Sequence, residues 1–261
     1  MLIEFCPLAS GSKGNCLYLG TEKARILIDA GLSAKATSER LKAIGVELEE
    51  IQAILITHDH ADHIKGITTL ASRLGIPVFC NSDTARGILQ ANGGEALPFK
   101  IFSTGETFVF ADLEIHPFSI QHDTLDPVAF TIRAGASKIG VCTDLGCVTT
   151  LVRSQLKECD YLFVEANHQP SMVHASNRPL IYKQRVLSRQ GHLSNEECAD
   201  LIESVLHGGL KHIYLAHLSS ECNHPDLALS IIQQKLTSLQ HTATLSIALQ
   251  NTPSHMLKWN A

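Results

Sequence analysis

The sequence predicts a mixed α/β protein in two similar halves, with β-sheets packed face to face and helices on the outside. Three observations carry that expectation. Short β-rich runs alternate with helical stretches along the whole chain. The alternation takes a similar form in both halves, with no boundary rich in Pro, Gly or Ser between them. With 261 residues and 44% hydrophobic content, the chain can bury a sizeable core, as one large domain or as two fused halves.

In chain order, residues 2–9, 16–20 and 24–29 read as strands, the first two separated by the turn "SGSKGN". Residues 34–44 are helical, 53–57 form a buried strand, and 63–74 form a helix ending at Gly75. The short run "PVFC" is a strand and precedes a helix near 83–91. Between 99 and 143 the β-rich runs are "FKIFS", "TFVFADLEIHPFSI", "VAFTIRAG" and "KIGVCT". "LVRSQLKEC" is then helical, "YLFVEAN" a strand, 194–207 a helix, "HIYLAHL" a strand and 226–239 a helix. The apolar run "TLSIALQ" is the last strand expected.

Composition narrows the function classes. Charged residues make up 18%, which disfavours wholesale disorder, and the net charge of -5 argues against a protein that coats nucleic acid by bulk electrostatics. A polyanion partner must therefore be held by a local patch. No run of about 18 apolar residues occurs, and "MLIEFCPLAS" lacks a basic region followed by a long apolar core, so a soluble, cytoplasmic protein with no membrane partner is expected. Cys6, Cys16, Cys80, Cys142, Cys147, Cys159, Cys198 and Cys222 are scattered with no C-x-x-C pair, the usage of small buried hydrophobes in a reducing compartment.

Chemistry concentrates in "AILITHDHADHIKGI", residues 53–67, where His58, Asp59, His60, Asp62 and His63 crowd behind an apolar strand. Two histidines four apart would suit one zinc on a helix; this closer spacing suits a loop leaving a strand end. There His58 and His60 can converge on one ion while Asp62 and His63 face a second. Imidazole and carboxylate without thiolate suit zinc or manganese and leave coordination positions open, as catalysis requires. The competing reading is a polar loop of solvated histidines, which the density of ligands disfavours.

A dinuclear site needs further ligands, and three residues at strand ends qualify: His122 after "IHPFSI", Asp144 after "KIGVCT" and His217 after "HIYLA". Taken singly, His122 reads equally as a surface turn residue, Asp144 as a cap or turn residue and His217 as a core histidine. Together with the loop they complete two metal shells.

The motif H-x-H-x-D-H, preceded by "ILIDAG" and followed by a lone His, the Asp of "TDLG" and a last His, resembles the metallo-β-lactamase superfamily. The resemblance implies an αββα four-layer sandwich, a single domain over residues 1–261 and two divalent ions. It implies that His58, His60 and His122 hold the first metal, that Asp62, His63 and His217 hold the second, and that Asp144 bridges both. Asp29 would orient the metal loop without binding metal. "GSKGNCLYL", "EANH", "KQRVLSRQGHLSNEE" and "LAHLSSECN" are similar to the WalJ/YycJ-type branch, which implies a 5'-to-3' exonuclease on double-stranded DNA, with DNA repair and repair-protein partners as its setting. The branch pattern has Asp and Asn where this chain has Gln169 and His224.

Residue chemistry is compatible with phosphodiester cleavage. Two metals about 3.5–4 Å apart lower the pKa of a bridging water, align the resulting hydroxide and neutralise the attacked and leaving oxygens. "SGSKGN", Ser10 to Asn15, is a Gly-rich turn whose amides, with Lys13, would accept a phosphate; by itself it reads as an ordinary β-turn. Residues 166–195 contain no Asp or Glu but carry His168, His174, Arg178, Lys183, Arg185, Arg189 and His192, a local basic strip suited to DNA phosphates. Composition alone reads it equally as a solvated face. "SNEE" has the form of a capping box, Ser194 with Glu197, which places His192 at a helix start facing the crevice for substrate binding or general acid catalysis.

The catalytic candidates are thus Asp59, Asp144 and His192, and the substrate-binding candidates Ser12, Lys13, Asn15, His168, Arg185, His192 and Asn223. Three functions stay open at this point. A two-metal nuclease is favoured by the basic strip, a metallohydrolase of a small thioester or cyclic phosphodiester would show a compact pocket without exposed Arg and Lys, and a metal-stabilised binding module would lack turnover.

Overall fold

The computed structural model describes residues 1–261. Strands β1 (Leu2–Ala9), β2 (Cys16–Gly20) and β3 (Arg25–Ile28) lead to helix α1 (Ala34–Ala43), and β4 (Ala53–Leu55) runs into the one-turn helix α2 (Ala61–Ile64). β5 (Val78–Cys80), α3 (Ser82–Ala91) and β6 (Phe99–Ile101) follow. The second half starts with β7 (Phe108–Phe110), β8 (Leu113–Ser119), β9 (Val128–Ala134) and β10 (Ser137–Cys142). Next come α4 (Thr150–Leu156), β11 (Tyr161–Glu165), α5 (Pro170–Ala175), α6 (Leu180–Val186) and α7 (Asn195–Val205). β12 (His212–Ala216), α8 (Pro225–Ser238), β13 (Thr244–Ile247) and β14 (Leu257–Asn260) complete the chain.

Two seven-stranded sheets form, ordered β14-β1-β2-β3-β4-β5-β6 and β13-β12-β11-β10-β9-β8-β7. In each, three antiparallel pairings give way to three parallel ones: β14 to β3 and then β4 to β6 in the first, β7 to β10 and then β11 to β13 in the second. Phe5, Leu19, Ile26, Ile132, Val141, Phe163 and Tyr214 fill the space between the sheets. Leu27, Leu41, Ile54 and Ile88 pack helices against the outside of the first sheet, and Leu156, Val164, Ile202, Ile213 and Ile232 do so on the second. This is the expected αββα sandwich.

Three regions differ from the expectation. The helix predicted over 63–74 breaks after Ile64, because Asn15 N takes the Asp62 carbonyl at 2.8 Å and Ala30 N takes that of His63 at 2.7 Å, so neither carbonyl is free for the next turn, and it resumes as a π-helical segment over Thr69–Arg73. Gly66 lets the chain pass: a Cβ there would lie 2.1 Å from the Leu32 carbonyl oxygen. Helices α5 and α6, with Pro170 at the first turn and Pro179 at the cap, are too short for a readable period. Past "TLSIALQ", β14 adds an edge strand whose Trp259 stacks on Tyr161 at 3.8 Å. Seven of the eight cysteines are buried and Cys147 is half-buried.

The parallel strands finish along one edge, and their trailing residues define a crevice there. Asp29 follows β3, His58 follows β4, Asp144 follows β10, Glu165 ends β11 and His217 follows β12. Asp29, Asp144 and His217 have φ of 62°, 55° and 53°, a left-handed turn that non-glycine residues take only at a cost of about 1–3 kcal/mol each. That turn points each side chain back into the crevice.

Candidate metal centre

Five histidines converge on the crevice, each with one ring nitrogen inward and the other engaged behind. Asp29 accepts from Thr57 N at 2.9 Å and from the Thr57 hydroxyl at 3.0 Å, so that hydroxyl must accept from the His58 Nδ1 proton 2.9 Å away. His58 Nε2 is left with its lone pair facing inward. The other oxygen of Asp29 takes the His63 Nδ1 proton at 2.8 Å. Gly191 O, a carbonyl that can only accept, fixes His122 through Nδ1 at 3.1 Å, and Glu165 Oε1 does the same for His217 at 3.1 Å. His60 is turned the other way: Nδ1 lies 3.3 Å from His122 Nε2, and Nε2 faces Asp123 at 3.6 Å. Partners of this kind select the tautomer and the ring orientation that a metal requires.

The inward atoms fall into overlapping sets. His58, His60 and His122 form one, and Asp62, His63 and His217 another, the donor atoms of each set lying within 4.8 Å of one another. Asp144 stands between them, one oxygen 3.7 Å from His122 Nε2 and 3.5 Å from His217 Nε2, the other 3.2 Å from His63 Nε2. His58 Nε2, His217 Nε2 and Asp144 Oδ2 are buried with no hydrogen-bond partner. Buried polar atoms go unpaired at a cost of about 1–3 kcal/mol each, so three converging in one crevice fit a divalent cation.

Electrostatics agree. Burial opposes a proton on His217, yet Asp144, Asp62 and Glu165 outweigh burial and raise its pKa to about 10. Burial likewise works against the Glu165 charge, but the His192 and His217 rings overcome it and hold the carboxyl down at about 2. Asp144 is held well below the usual carboxylate range against burial, by His217 and His63. A cluster whose carboxylates stay ionised against burial, while burial keeps His58 and His122 from charging, demands positive charge, which a metal ion supplies as it displaces the His217 proton.

The sequence candidates separate at this level. His58, His60, Asp62, His63, His122, Asp144 and His217 are brought together, and Asp29 stands behind them as expected. His192, Ser12 and Arg185 line a cavity of about 210 Å³ that opens on the cluster. Asp59 is a correction: its carboxylate turns away to accept from the Thr124 hydroxyl and lines a separate cavity with Ile64 and Ile88, because alternate residues of the extended loop face opposite ways. The "SGSKGN" turn is another. Five of its amides are already used, Ser10 N on Leu249 O, Gly11 N on Asn15 Oδ1, Lys13 N on Gln250 Oε1, Gly14 N on Gly11 O and Asn15 N on Asp62 O, so only the amide of Ser12, which lines the cavity, is left and the turn is no cradle of several amides.

Asn15 instead donates to Asp62 Oδ2 at 3.2 Å and faces His63 Nε2 at 3.0 Å, which makes it a brace for the ligands. Lys13 is exposed beside it. Asn223 is buried and spends its amide on Asn195, Ala166 O and Asn167 O, leaving nothing for a substrate. His168 is buried outside the cavity lining. Gln169 bonds Glu196 and Asn195, and His224 caps α8 by accepting from Asp226 N, so both departures from the branch pattern do structural work.

Sequence reasoning missed three residues. Glu165 is completely buried and binds His192 Nδ1 at 2.8 Å, His217 Nδ1, Leu145 N and Leu193 N. The signal was present, since an acid closing the all-apolar strand "YLFVE" must have partners. Asn167 donates to the His217 carbonyl at 2.7 Å, and Asp123 pairs with Arg185 beside His122.

Comparisons with known proteins place this arrangement. Residues 24–217 match the β-lactamase superfamily domain. The chain is 37% identical over 237 residues to an exodeoxyribonuclease YycJ of Bacillus anthracis, covering 90% of each sequence. It is 36% identical over 228 residues to an exodeoxyribonuclease WalJ of Streptococcus pneumoniae, covering 86% of this chain and 85% of that one. The metallo-β-lactamase fold protein YhfI of Bacillus subtilis superposes with a TM-score of 0.73 over 99% of both chains at 16% identity, a likeness of fold. By its matched residues, its αββα layers and its histidine cluster at the strand ends, the chain belongs to the β-lactamase superfamily.

Proposed function

We propose that the chain is a two-metal phosphodiesterase, with zinc or manganese, that digests double-stranded DNA from its 5' ends. The observation that carries the reading is the convergence of five histidines, Asp62 and Asp144 under an acid-free strip, in a chain aligned over 90% of its length with an exodeoxyribonuclease. Two divalent ions, when bound, supply activation of the attacking water and neutralise charge growing on the phosphate oxygens. His58, His60 and His122 would hold the first, Asp62, His63 and His217 the second, with Asp144 shared.

The chain's own groups do the rest. His192 lines the cavity and donates its Nδ1 proton to Glu165, so Nε2 is its free nitrogen, and a proton carried there by the doubly protonated ring can pass to the leaving alkoxide. The Glu165 charge fixes that tautomer and steadies the imidazolium before transfer. Arg185 reaches the cavity from α6 while Asp123 holds it, which sets its guanidinium to receive a phosphate oxygen. A small thioester or cyclic phosphodiester would need no cationic rim, so the rim favours DNA.

The test is digestion of a 5'-phosphorylated linear duplex, labelled at either end, by metal-loaded wild type and Asp144→Ala, with closed circular DNA alongside. Nucleotides leave the 5' end, the circle survives, and Asp144→Ala loses about a thousandfold or more in rate. Turnover of a small phosphodiester or thioester with no DNA cut under either metal would replace this reading with a different metallohydrolase.

A further inference from the structure

We propose that helix α6 is a strand-separating wedge, with Leu180 and Ile181 inserting against the terminal base pair of a duplex so that one strand alone reaches the metal centre. The inference rests on the nuclease reading above and names how a paired end is admitted. Its starting point is size. The cavity over the cluster measures about 210 Å³, and Asp144 and His217 in its lining, like His58 and His63 of the cluster, are at most 3% exposed. Such a recess takes a phosphate and its sugar, not a base pair. A duplex end must therefore open before its phosphate arrives.

One wall of the recess is α6, through Tyr182 and Arg185. On the same helix Leu180 and Ile181, directly before Tyr182, are 70% and 74% exposed, adjacent large aliphatic side chains held in water. Leu125, 63% exposed, lies three residues beyond His122 on the loop that the Arg185–Asp123 ion pair ties to α6. The α5–α6 excursion rests on a small core of its own, Val173, Val186 and Cys222 with Met172 and Tyr182, so it stands out from the sandwich as a rim.

Charge identifies the occupant. Residues 166–195 hold no acid, and although Arg178 and Arg185 pair with Glu221 and Asp123, Lys183 and Arg189 have no carboxylate partner. Lys183 donates only to the His174 carbonyl. A surface that combines cations with bare aliphatic side chains suits a DNA end, whose phosphates meet the cations and whose exposed base faces meet Leu180 and Ile181. Apolar wedges of this kind unstack base steps in other protein–DNA contacts.

The experiment compares wild type, Leu180→Ala/Ile181→Ala and Leu151→Ala, an exposed leucine of α4, on three linear DNAs of one sequence: fully paired, mismatched at the terminal base pairs, and single-stranded. On the paired end the double variant falls about tenfold relative to its own rate on the single strand, the mismatched end restores it, and Leu151→Ala matches wild type. Equal loss on all three DNAs, or no loss, overturns the wedge while leaving the nuclease reading intact. A wild type that cuts single strands only also removes the wedge. A wild type that cuts no DNA removes the nuclease reading and the wedge with it.

Discussion

Glu165 and Asp59 invert their apparent importance once the side chains are placed. Glu165 is one carboxylate shared by His217 and His192, proposed above to hold a metal and to give a proton, so Glu165→Gln, which keeps the shape and loses the charge, is expected to lower both turnover and metal affinity by about 10–100-fold. Steady-state kinetics and a metal-chelator competition read the two effects separately. Asp59 stands in the densest ligand stretch of the chain yet turns outward to Thr124. Asp59→Ala should keep kcat/KM within about twofold while costing about 1 kcal/mol of stability in denaturant titration, the worth of its hydrogen bond. A large kinetic loss with unchanged metal content would return Asp59 to the catalytic set. The difference between these two residues was only partly legible in sequence: a buried acid ending an apolar strand announces that it has partners, whereas the facing of a loop side chain depends on backbone turns that residue spacing does not specify.

Among the elements, the metal loop shows how neighbouring segments shape one another. Asn15 N and Ala30 N cap the carbonyls of α2, and Gly31 sits so close that a Cβ on it would lie 1.6 Å from the Asp62 carbonyl oxygen. The sequence predicts one helix over 63–74, but these contacts break it after Ile64, with helical backbone resuming over Thr69–Arg73, and thereby aim Asp62 and His63 at the crevice. The capping box of Ser194 and Glu197, by contrast, was readable because it is local, and it forms as expected. At the far end of the second sheet, His212 of β12 faces Thr244 of β13, its Nδ1 2.6 Å from Thr244 Oγ1, and burial with His255 nearby lowers its pKa from 6.5 to about 4. The unfolded chain therefore takes up a proton that the folded chain refuses, so this residue withdraws stability as pH falls from about 6.5 towards 4 and has no such effect above that window. His212→Gln should flatten that part of the acid-side slope in thermal melts, and an unchanged slope would place it elsewhere.

Across the whole molecule, the centre joins the two sheets: His58 and His63 come from the first half, His122, Asp144 and His217 from the second. A bound ion is therefore a cross-link between halves that the unfolded chain lacks. At an ion concentration about 100 times the dissociation constant, this adds about 2.7 kcal/mol, so chelation is expected to lower Tm by about 5–10 °C and readdition to restore it. Calorimetry with and without chelator measures this, and an unchanged Tm would mean that the halves hold together without help from the site. No helix is long and apolar enough to cross a membrane.

By itself the sequence determined the two-half α/β layering, the seven metal-capable residues and the cap before α7, since each is written in local periodicity, strand-end position or short spacing. Tertiary structure alone decided which ring nitrogen each histidine presents, that Glu165 and Asp123 stand behind the histidines, that Asn15 and Asn223 serve the protein rather than a substrate, and that β14 closes the edge of the first sheet. The physical reason is range. Propensity and periodicity act over a few residues, whereas a hydrogen bond between Glu165 and His217, 52 positions apart, exists only after two parallel strands have paired and brought their ends to one edge.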